Sequence, residues 1–202
     1  LTGSQYYARL TQRLIAALSA PTAEGSLYEV DFRLRPSGNS GPLATHIRSF
    51  VEYQTKEAWT WEHMALTRAR PVHGDASLIA EAVENIRAIL SSPHDARKVE
   101  RDVLEMRQLL EEEKTAEGPW DLKQVPGGQV DIEFIAQFLQ LVHAAAHPAI
   151  LDVETETVLA AASRAGILPA TEAEILLPAL RLYQRLVLIL RLCVDGPFRA
   201  SE

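Results

Sequence analysis

The sequence predicts a mainly helical protein with one clear β-strand near its start. Apolar residues recur at helical spacing over most of the chain, whereas strict alternation of apolar and charged residues occurs in one place, residues 27–36. Stretches rich in proline and glycine separate the helical patterns. The chain therefore divides into a first part, residues 1–75, that carries the strand, and a helical bundle domain over residues 76–202.

Eight segments carry the helical pattern. They cover approximately residues 4–18, 45–56, 58–68, 78–90, 95–114, 129–146, 152–165 and 172–194. Thr171 and Glu174 have capping-box spacing and predict the start of the last helix, which Pro178 is expected to kink or delay. A single strand needs partner strands, and none is convincing here, so we expect the rest of its sheet to lie upstream of Leu1 in a longer protein.

Composition narrows the class of protein. The single cysteine, Cys193, rules out a disulfide within the chain and fits a reducing cytoplasm. No stretch has the ~18 uncharged apolar residues of a membrane span. The net charge of −7 is concentrated in residues 76–202, where 12 Lys+Arg face 20 Asp+Glu, and this field disfavours nucleic acid. We therefore expect a cytoplasmic protein that binds neither membrane nor nucleic acid.

The predicted strand places charged side chains on one face. Asp31, Arg33 and Arg35 alternate with apolar residues, with roughly 6.6 Å between successive side chains on that face. Such a face suits a cleft in which an aspartate binds a metal ion and arginines bind phosphate oxygens. A solvated face with ion pairs between strands explains the pattern equally well, so both alternatives stay open.

A second carboxylate, Asp131, breaks its local pattern. On a helical wheel it falls near the middle of the apolar arc of the helix at 129–146, while Glu133, Gln137 and Gln140 lie opposite. A carboxylate in that position must be ion-paired, hydrogen-bonded or open to a cleft. Its place in the first helical turn offers the alternative that it simply caps the helix start.

Other motifs carry weaker signals. Gly127 and Gly128 precede the same helix, and two glycines let backbone amides approach an anion closely. Trp59 and Trp61 are expected to anchor a packing helix rather than bind a ligand. The spacing of His143 and His147 resembles a metal-binding pair, but without a third ligand it is more simply incidental.

Three long motifs resemble the bacterial glutamine synthetase adenylyltransferases. They are residues 28–43 (YEVDFRLRPSGNSGPL), 57–71 (EAWTWEHMALTRARP) and 123–134 (KQVPGGQVDIEF). The match extends over almost the whole chain. The sequence at 57–63 resembles the C-terminal, adenylylating half of that enzyme rather than the half that removes the adenylyl group.

This resemblance implies a fold and a reaction. The fold would be a remnant of a polymerase-beta-like nucleotidyltransferase domain followed by a helical domain. In the intact enzyme a tyrosine of glutamine synthetase would attack the α-phosphorus of ATP, and three aspartates would hold two Mg²⁺ ions. Asp31 matches the third aspartate, whereas the Asp-x-Asp pair is absent from the sequence. The resemblance therefore implies a fragment that is inactive alone.

The resemblance also assigns roles to individual residues. Asp31 would be the metal ligand and a possible base, and Arg33 and Arg35 would contact phosphate. The remaining nucleotide contacts would be Arg68, Arg70, Lys123, Gly127, Gly128 and Asp131. Glutamine synthetase and the PII signal protein would be the partners. Three alternatives remain: the adenylyl-removing half, a relative of the uridylyltransferase that acts on PII, or a helical module that only docks these partners.

Overall fold

The computed structural model of the protein describes residues 2–25, 30–116 and 118–194. Within these ranges the chain is mainly helical, as predicted, and contains eight α-helices and no strand. The helices are α1 (Gly3–Leu18), α2 (Ile47–Lys56), α3 (Thr60–Leu66), α4 (Ala76–Leu90), α5 (Ala96–Glu113), α6 (Gln129–His143), α7 (Thr155–Arg164) and α8 (Ala170–Cys193). Short 3₁₀ helices occur at Gly38–Ser40 and Pro148–Ile150. Each of the eight helical predictions is thus confirmed.

Contacts divide the chain into two compact units, Leu1–Glu62 and His63–Glu202. The sequence pattern predicts a domain boundary between residues 75 and 76 instead. That boundary stays a prediction, because compact units defined by contacts and evolutionary domains need not coincide.

In the first unit, the helices are well capped but little is buried. Thr2 and Gln5 form a capping box at the start of α1. The apolar side chains of α1 nevertheless face solvent, with Tyr7 58% and Leu14 56% exposed. Among the described residues of this unit no hydrophobic side chain is fully buried.

The strand predicted over residues 27–36 is wrong for its described part. Residues 30–36 run without regular structure into turns, and residues 27–29, including Tyr28 and Glu29, lie outside the described residues. The expected alternation is also broken: Leu34 is 66% exposed whereas Arg35 is half-buried. A strand is stable only with a partner to complete its backbone hydrogen bonds, and the described residues provide none.

The second unit is built around α6. This helix contacts α5, α7, α8 and the 3₁₀ helix at Pro148–Ile150. Its residues Ile132, Ala136 and Leu139 join a buried cluster with Val158, Leu159 and Ala162 of α7, Leu168, and Ala173 and Leu180 of α8. The opposite face of α6 is also buried, since Gln137 is 8% and Gln140 3% exposed.

Two details of α8 differ from the sequence prediction. The helix begins at Ala170 after Pro169, with no side-chain cap, so the capping box predicted at Thr171 and Glu174 does not form. Pro178 lies inside the helix and does not delay its start. Proline has no backbone N–H to donate, and the helix nevertheless continues through it to Cys193.

Two histidines meet in the second unit. The rings of His63, on α3, and His94, between α4 and α5, contact edge to face with centroids 5.2 Å apart. Nε2 of His94 is buried without a hydrogen-bond partner. Burial lowers the pKa of His94 below its ordinary value of 6.5, and the nearby His63 and Lys98 lower it further.

We expect His94 to make the protein less stable at mildly acidic pH. The unfolded chain binds a proton near pH 6.5, whereas the folded chain binds it only at lower pH, so stability falls as the pH drops through this window. His94→Gln should reduce this loss. Urea unfolding between about pH 7 and 5 measures it. Burial also lowers the pKa of His143, so the part of the pH dependence that His143 contributes should remain in His94→Gln.

Exposed His73 is the control for this prediction. His73→Gln should leave the pH dependence of unfolding unchanged. The same slope in His94→Gln as in the unsubstituted protein would show that His94 does not couple protonation to folding.

Candidate functional site

Asp31 lies in an exposed loop of the first unit and is bound by Arg33. The Asp31 carboxylate accepts hydrogen bonds from the Arg33 amide at 2.8 Å and from Arg33 Nη2 at 2.7 Å. The hydrogen bonds from the Arg33 side chain and amide lower the pKa of Asp31 to about 2. Asp31 is therefore ionised at neutral pH, as a metal ligand must be, but it is a weak base there.

Arg35 stabilises the loop that follows. Its guanidinium donates to the carbonyl oxygens of Phe32 at 2.6 Å, Gly41 at 3.1 Å and Asn39 at 3.3 Å. A Cβ atom at Gly41 would lie 1.9 Å from the Pro36 carbonyl oxygen, so only glycine fits there. The guanidinium of Arg35 thus donates to carbonyl oxygens of its own loop. A contact between Arg35 and phosphate stays a prediction.

Glu62 is the buried anchor of the tryptophan-rich motif. It is 9% exposed and accepts hydrogen bonds from the Tyr53 hydroxyl at 2.9 Å and the Trp59 amide at 2.9 Å. Trp59 itself is 69% exposed, so the prediction that both tryptophans anchor the core is wrong for Trp59. The carboxylate can be buried because several donors satisfy it.

Asp131, in the second unit, is paired at the start of α6. One carboxylate oxygen accepts from Nε of Arg107, on α5, and the other accepts from the Gly127 amide at 2.5 Å. Arg107 Nη2 also donates to the Gln124 carbonyl oxygen at 3.2 Å. A carboxylate within an apolar arc needs a partner or an open cleft, and the partner of Asp131 is Arg107.

Gly127 and Gly128, which precede α6, allow the tight backbone of their own loop. The Gly128 amide donates to the Val125 carbonyl oxygen at 2.8 Å, and the next two amides donate to the Leu122 and Lys123 carbonyl oxygens. A Cβ at Gly128 would lie 2.7 Å from both the Leu122 and Val125 carbonyl oxygens. Gly127 has φ +77°, a conformation that favours glycine. The glycines thus allow a tight loop, and their predicted role in anion binding stays a prediction.

The remaining cationic candidates lie at the surface of the second unit. Arg68 is half-exposed and forms an ion pair with Glu133 at 3.2 Å. Arg70 and Lys123 are exposed. Lys123 lies in the loop before α6, so Asp131 and Lys123 are held by the same segment of backbone.

Carboxylates for a magnesium site are too few in the described residues. No group of three or more histidine, cysteine, aspartate and glutamate side chains is placed there to hold a metal ion. Asp31 supplies one carboxylate, already bound by Arg33. Mg²⁺ prefers an octahedral set of oxygens, with one or two carboxylates beside substrate phosphates. The described residues therefore bring together no set of three carboxylates for the two Mg²⁺ ions that the resemblance implies, and Asp31 as a ligand stays a prediction.

Comparison with known proteins supports the resemblance in both halves of the chain. The family model described as glutamate-ammonia ligase adenylyltransferase matches residues 1–85, and the model described as GlnD PII-uridylyltransferase matches residues 97–197. Relatives named bifunctional glutamine synthetase adenylyltransferase/adenylyl-removing enzyme match almost end to end. The relative from Xanthobacter autotrophicus is 53% identical over 97% of this chain, and one from Bradyrhizobium is 52% identical over 100%.

The chain is thus similar to the glutamine synthetase adenylyltransferases over nearly its whole length. It spans 20% of the length of these relatives. The second family model agrees with one alternative of the sequence analysis, a relationship to the PII uridylyltransferases, for residues 97–197. Within the described residues no helix is long and apolar enough to cross a bilayer.

The sequence patterns did not reveal two residues that hold the candidate sites in place. Arg107 holds Asp131, and Glu62 organises the motif around Trp59. Arg107 follows the buried Val103 by four residues on α5, so it shares the buried face of that helix. An arginine on an apolar face is the signal that predicts a buried carboxylate partner.

Proposed function

We propose that this chain is part of an enzyme that transfers the adenylyl group of ATP to a tyrosine of glutamine synthetase and so regulates nitrogen assimilation in the cytoplasm. The observation that carries the proposal is the end-to-end match with relatives that bear this activity in their names, at about 50% identity. Such continuous similarity makes a shared role far more plausible than a shared fold alone would.

The proposed reaction is a displacement at the α-phosphorus of ATP. The tyrosine oxygen forms a bond to phosphorus, the bond to the β-phosphate oxygen breaks, and pyrophosphate leaves with the electron pair. The tyrosine proton passes to solvent or a base. Negative charge grows on phosphate oxygens, and nearby cations stabilise it. Arg70 and Lys123 are proposed cations on the exposed surface of the second unit, and Arg68 would join them if it left Glu133. In the first unit, Arg33 and Arg35 are proposed to contact phosphate if they leave their present partners.

We propose further that residues 1–75 are the remnant of a nucleotidyltransferase domain and residues 76–202 the helical domain that follows it. The absence of buried apolar side chains in the described part of the first unit supports this, since such a unit needs additional chain to cover it. Asp31 would then bind Mg²⁺ together with carboxylates outside the described residues. The PII signal protein is the proposed regulatory partner, which the match of residues 97–197 favours.

A hybrid enzyme tests the proposal. The segment of the Xanthobacter autotrophicus relative that matches this chain is replaced by the chain itself, giving the hybrid used in the experiments below. With ATP labelled at the α-phosphate, the hybrid should label glutamine synthetase. The same relative with the segment deleted should not. The isolated 202-residue chain should not either, because its sequence lacks the Asp-x-Asp pair and its described residues bring no three potential metal ligands together.

The alternatives give different results in the same assay. Label that enters PII from UTP, with none entering glutamine synthetase from ATP, would favour the uridylyltransferase alternative. Loss of bound label without its addition would favour the adenylyl-removing half. A hybrid that binds glutamine synthetase but transfers nothing, beside an active relative, would contradict the catalytic proposal and favour a docking module.

A further inference from the structure

The side chain of Arg107 is almost enclosed. It is 14% exposed, and its guanidinium contacts the Asp131 carboxylate, the Gln124 carbonyl oxygen at 3.2 Å and, less closely, the Glu111 carboxylate at 3.7 Å. Burying a guanidinium costs free energy unless charged and polar partners replace its water. These partners come from α5, from the loop before α6 and from α6 itself, so one side chain connects three segments.

The loop from Asp121 to Gly128 is held at its middle and near its end by this contact. Arg107 holds the Gln124 carbonyl oxygen on one side and, through Asp131, the Gly127 amide on the other. Both Asp131 oxygens are occupied in this way. Asp131 is therefore placed to order the loop rather than to bind a ligand directly.

Lys123 lies next to Gln124 in the same loop. Its carbonyl oxygen accepts a hydrogen bond from the Val130 amide at 3.2 Å, one residue before Asp131. Its side chain is exposed, as are Pro126 and Gly127, so packing does little to fix this side of the loop. The polar contacts of Arg107 add to the backbone hydrogen bonds of the loop and help to fix the backbone that carries Lys123.

We propose that Arg107 is a positioning residue that acts through Asp131 to present Lys123 to the phosphates of the nucleotide. The inference rests on the proposed function, in which Lys123 contacts ATP. Lysine at position 107 would keep the charge but lose the fork that reaches Asp131 and the Gln124 carbonyl oxygen together. Position 107 therefore requires arginine. Asp131 affects nucleotide binding by ordering the loop, without contacting the nucleotide.

Steady-state kinetics of the hybrid enzyme test this inference. Arg107→Lys should raise KM for ATP about tenfold while kcat changes by less than about twofold, because one charge-assisted hydrogen bond to the nucleotide is weakened. Lys123→Gln should raise KM to a similar extent, and the double variant should raise it no further. Asp131→Asn, which keeps the shape of the side chain, breaks the same contact and should reproduce the change in KM.

Arg101→Lys is the matched control. Arg101 lies on the same helix but is 63% exposed and pairs with Asp102 and Glu105 at the surface. This variant should leave KM unchanged. Amide hydrogen exchange provides a second readout, since Gly127 and Val130 should exchange faster in Arg107→Lys and not in Arg101→Lys.

The outcomes separate the inference from the proposed function. If Lys123→Gln raises KM whereas Arg107→Lys and Asp131→Asn do not, the positioning role is wrong and the nucleotide contact stands. If Lys123→Gln leaves KM unchanged while the hybrid still labels glutamine synthetase, Lys123 does not contact the nucleotide and the inference fails with it. A fall in kcat in Asp131→Asn that Arg107→Lys does not share would show that Asp131 takes part in the chemistry directly.

Discussion

Replacing Asp31 by alanine in the hybrid enzyme is expected to lower adenylyl transfer to glutamine synthetase by about 10²- to 10³-fold. The reason is electrostatic. The carboxylate is ionised at neutral pH, and Arg33 lowers its pKa further, to about 2. It is exposed, so a cation that bridges enzyme and nucleotide would bind it in place of Arg33. Its loss would remove a fixed negative charge at the point where the proposed reaction requires one.

The assay measures label from α-labelled ATP in glutamine synthetase, beside a binding assay for the two proteins. Binding of glutamine synthetase should persist, because only a surface side chain is shortened. Glu52→Ala is the matched control: Glu52 lies in the same unit and forms an exposed ion pair with Lys56 at 2.7 Å, the same distance as between Asp31 and Arg33. Normal transfer by Asp31→Ala would rule out the catalytic role.

Leu180→Ala is expected to destabilise the second unit by about 2–5 kcal/mol. Leu180 lies on α8, is fully buried, and packs in the cluster formed with α6 and α7. Its truncation removes apolar contacts and leaves a cavity that the surrounding helices fill only in part. Urea unfolding followed by helical circular dichroism measures the change in free energy.

Leu182, on the same helix, separates burial from helix propensity. It is 53% exposed, so Leu182→Ala should change the free energy of unfolding by less than about 0.5 kcal/mol. Equal effects at the two positions would show that the cluster around Leu180 does not stabilise the fold.

The sequence predicted the helices well because their signal is local. On α5, Val99 and Val103 lie one helical turn apart and are both buried, as a helical pattern with one apolar face predicts. Asp75 and Asp95 begin α4 and α5 by accepting hydrogen bonds from amides of the first turn. Such periodicity and capping are encoded within a few residues, so they can be recognised without knowledge of distant contacts.

The strand was mispredicted because its stability is not local. The alternation in residues 30–35 describes what the segment could do beside another strand, and the described residues contain no such neighbour. There the backbone forms turns instead, and Arg35 folds onto the carbonyl oxygens of its own loop. A segment with strand propensity forms a strand only where tertiary contacts stabilise it.

The candidate site was predictable in part. The helical wheel singled out Asp131 as a carboxylate that needs a partner, but it could not name Arg107, 24 residues earlier. It also placed Gln137 and Gln140 opposite the apolar arc, although both are buried. Gln140 accepts a hydrogen bond from the Asp152 amide at 3.1 Å, so a polar residue fills an interior position there. One helical wheel cannot reveal that a helix is covered on several sides.

The scarcity of interior apolar side chains between residues 2 and 62 has a practical consequence for handling the protein. Segments with so little hydrophobic interior open transiently at small free-energy cost, and proteases cleave the opened state. Trypsin should therefore cut first after exposed basic residues of this region, such as Arg13 and Arg48. The helices around α6 would be left as the resistant core of the digest.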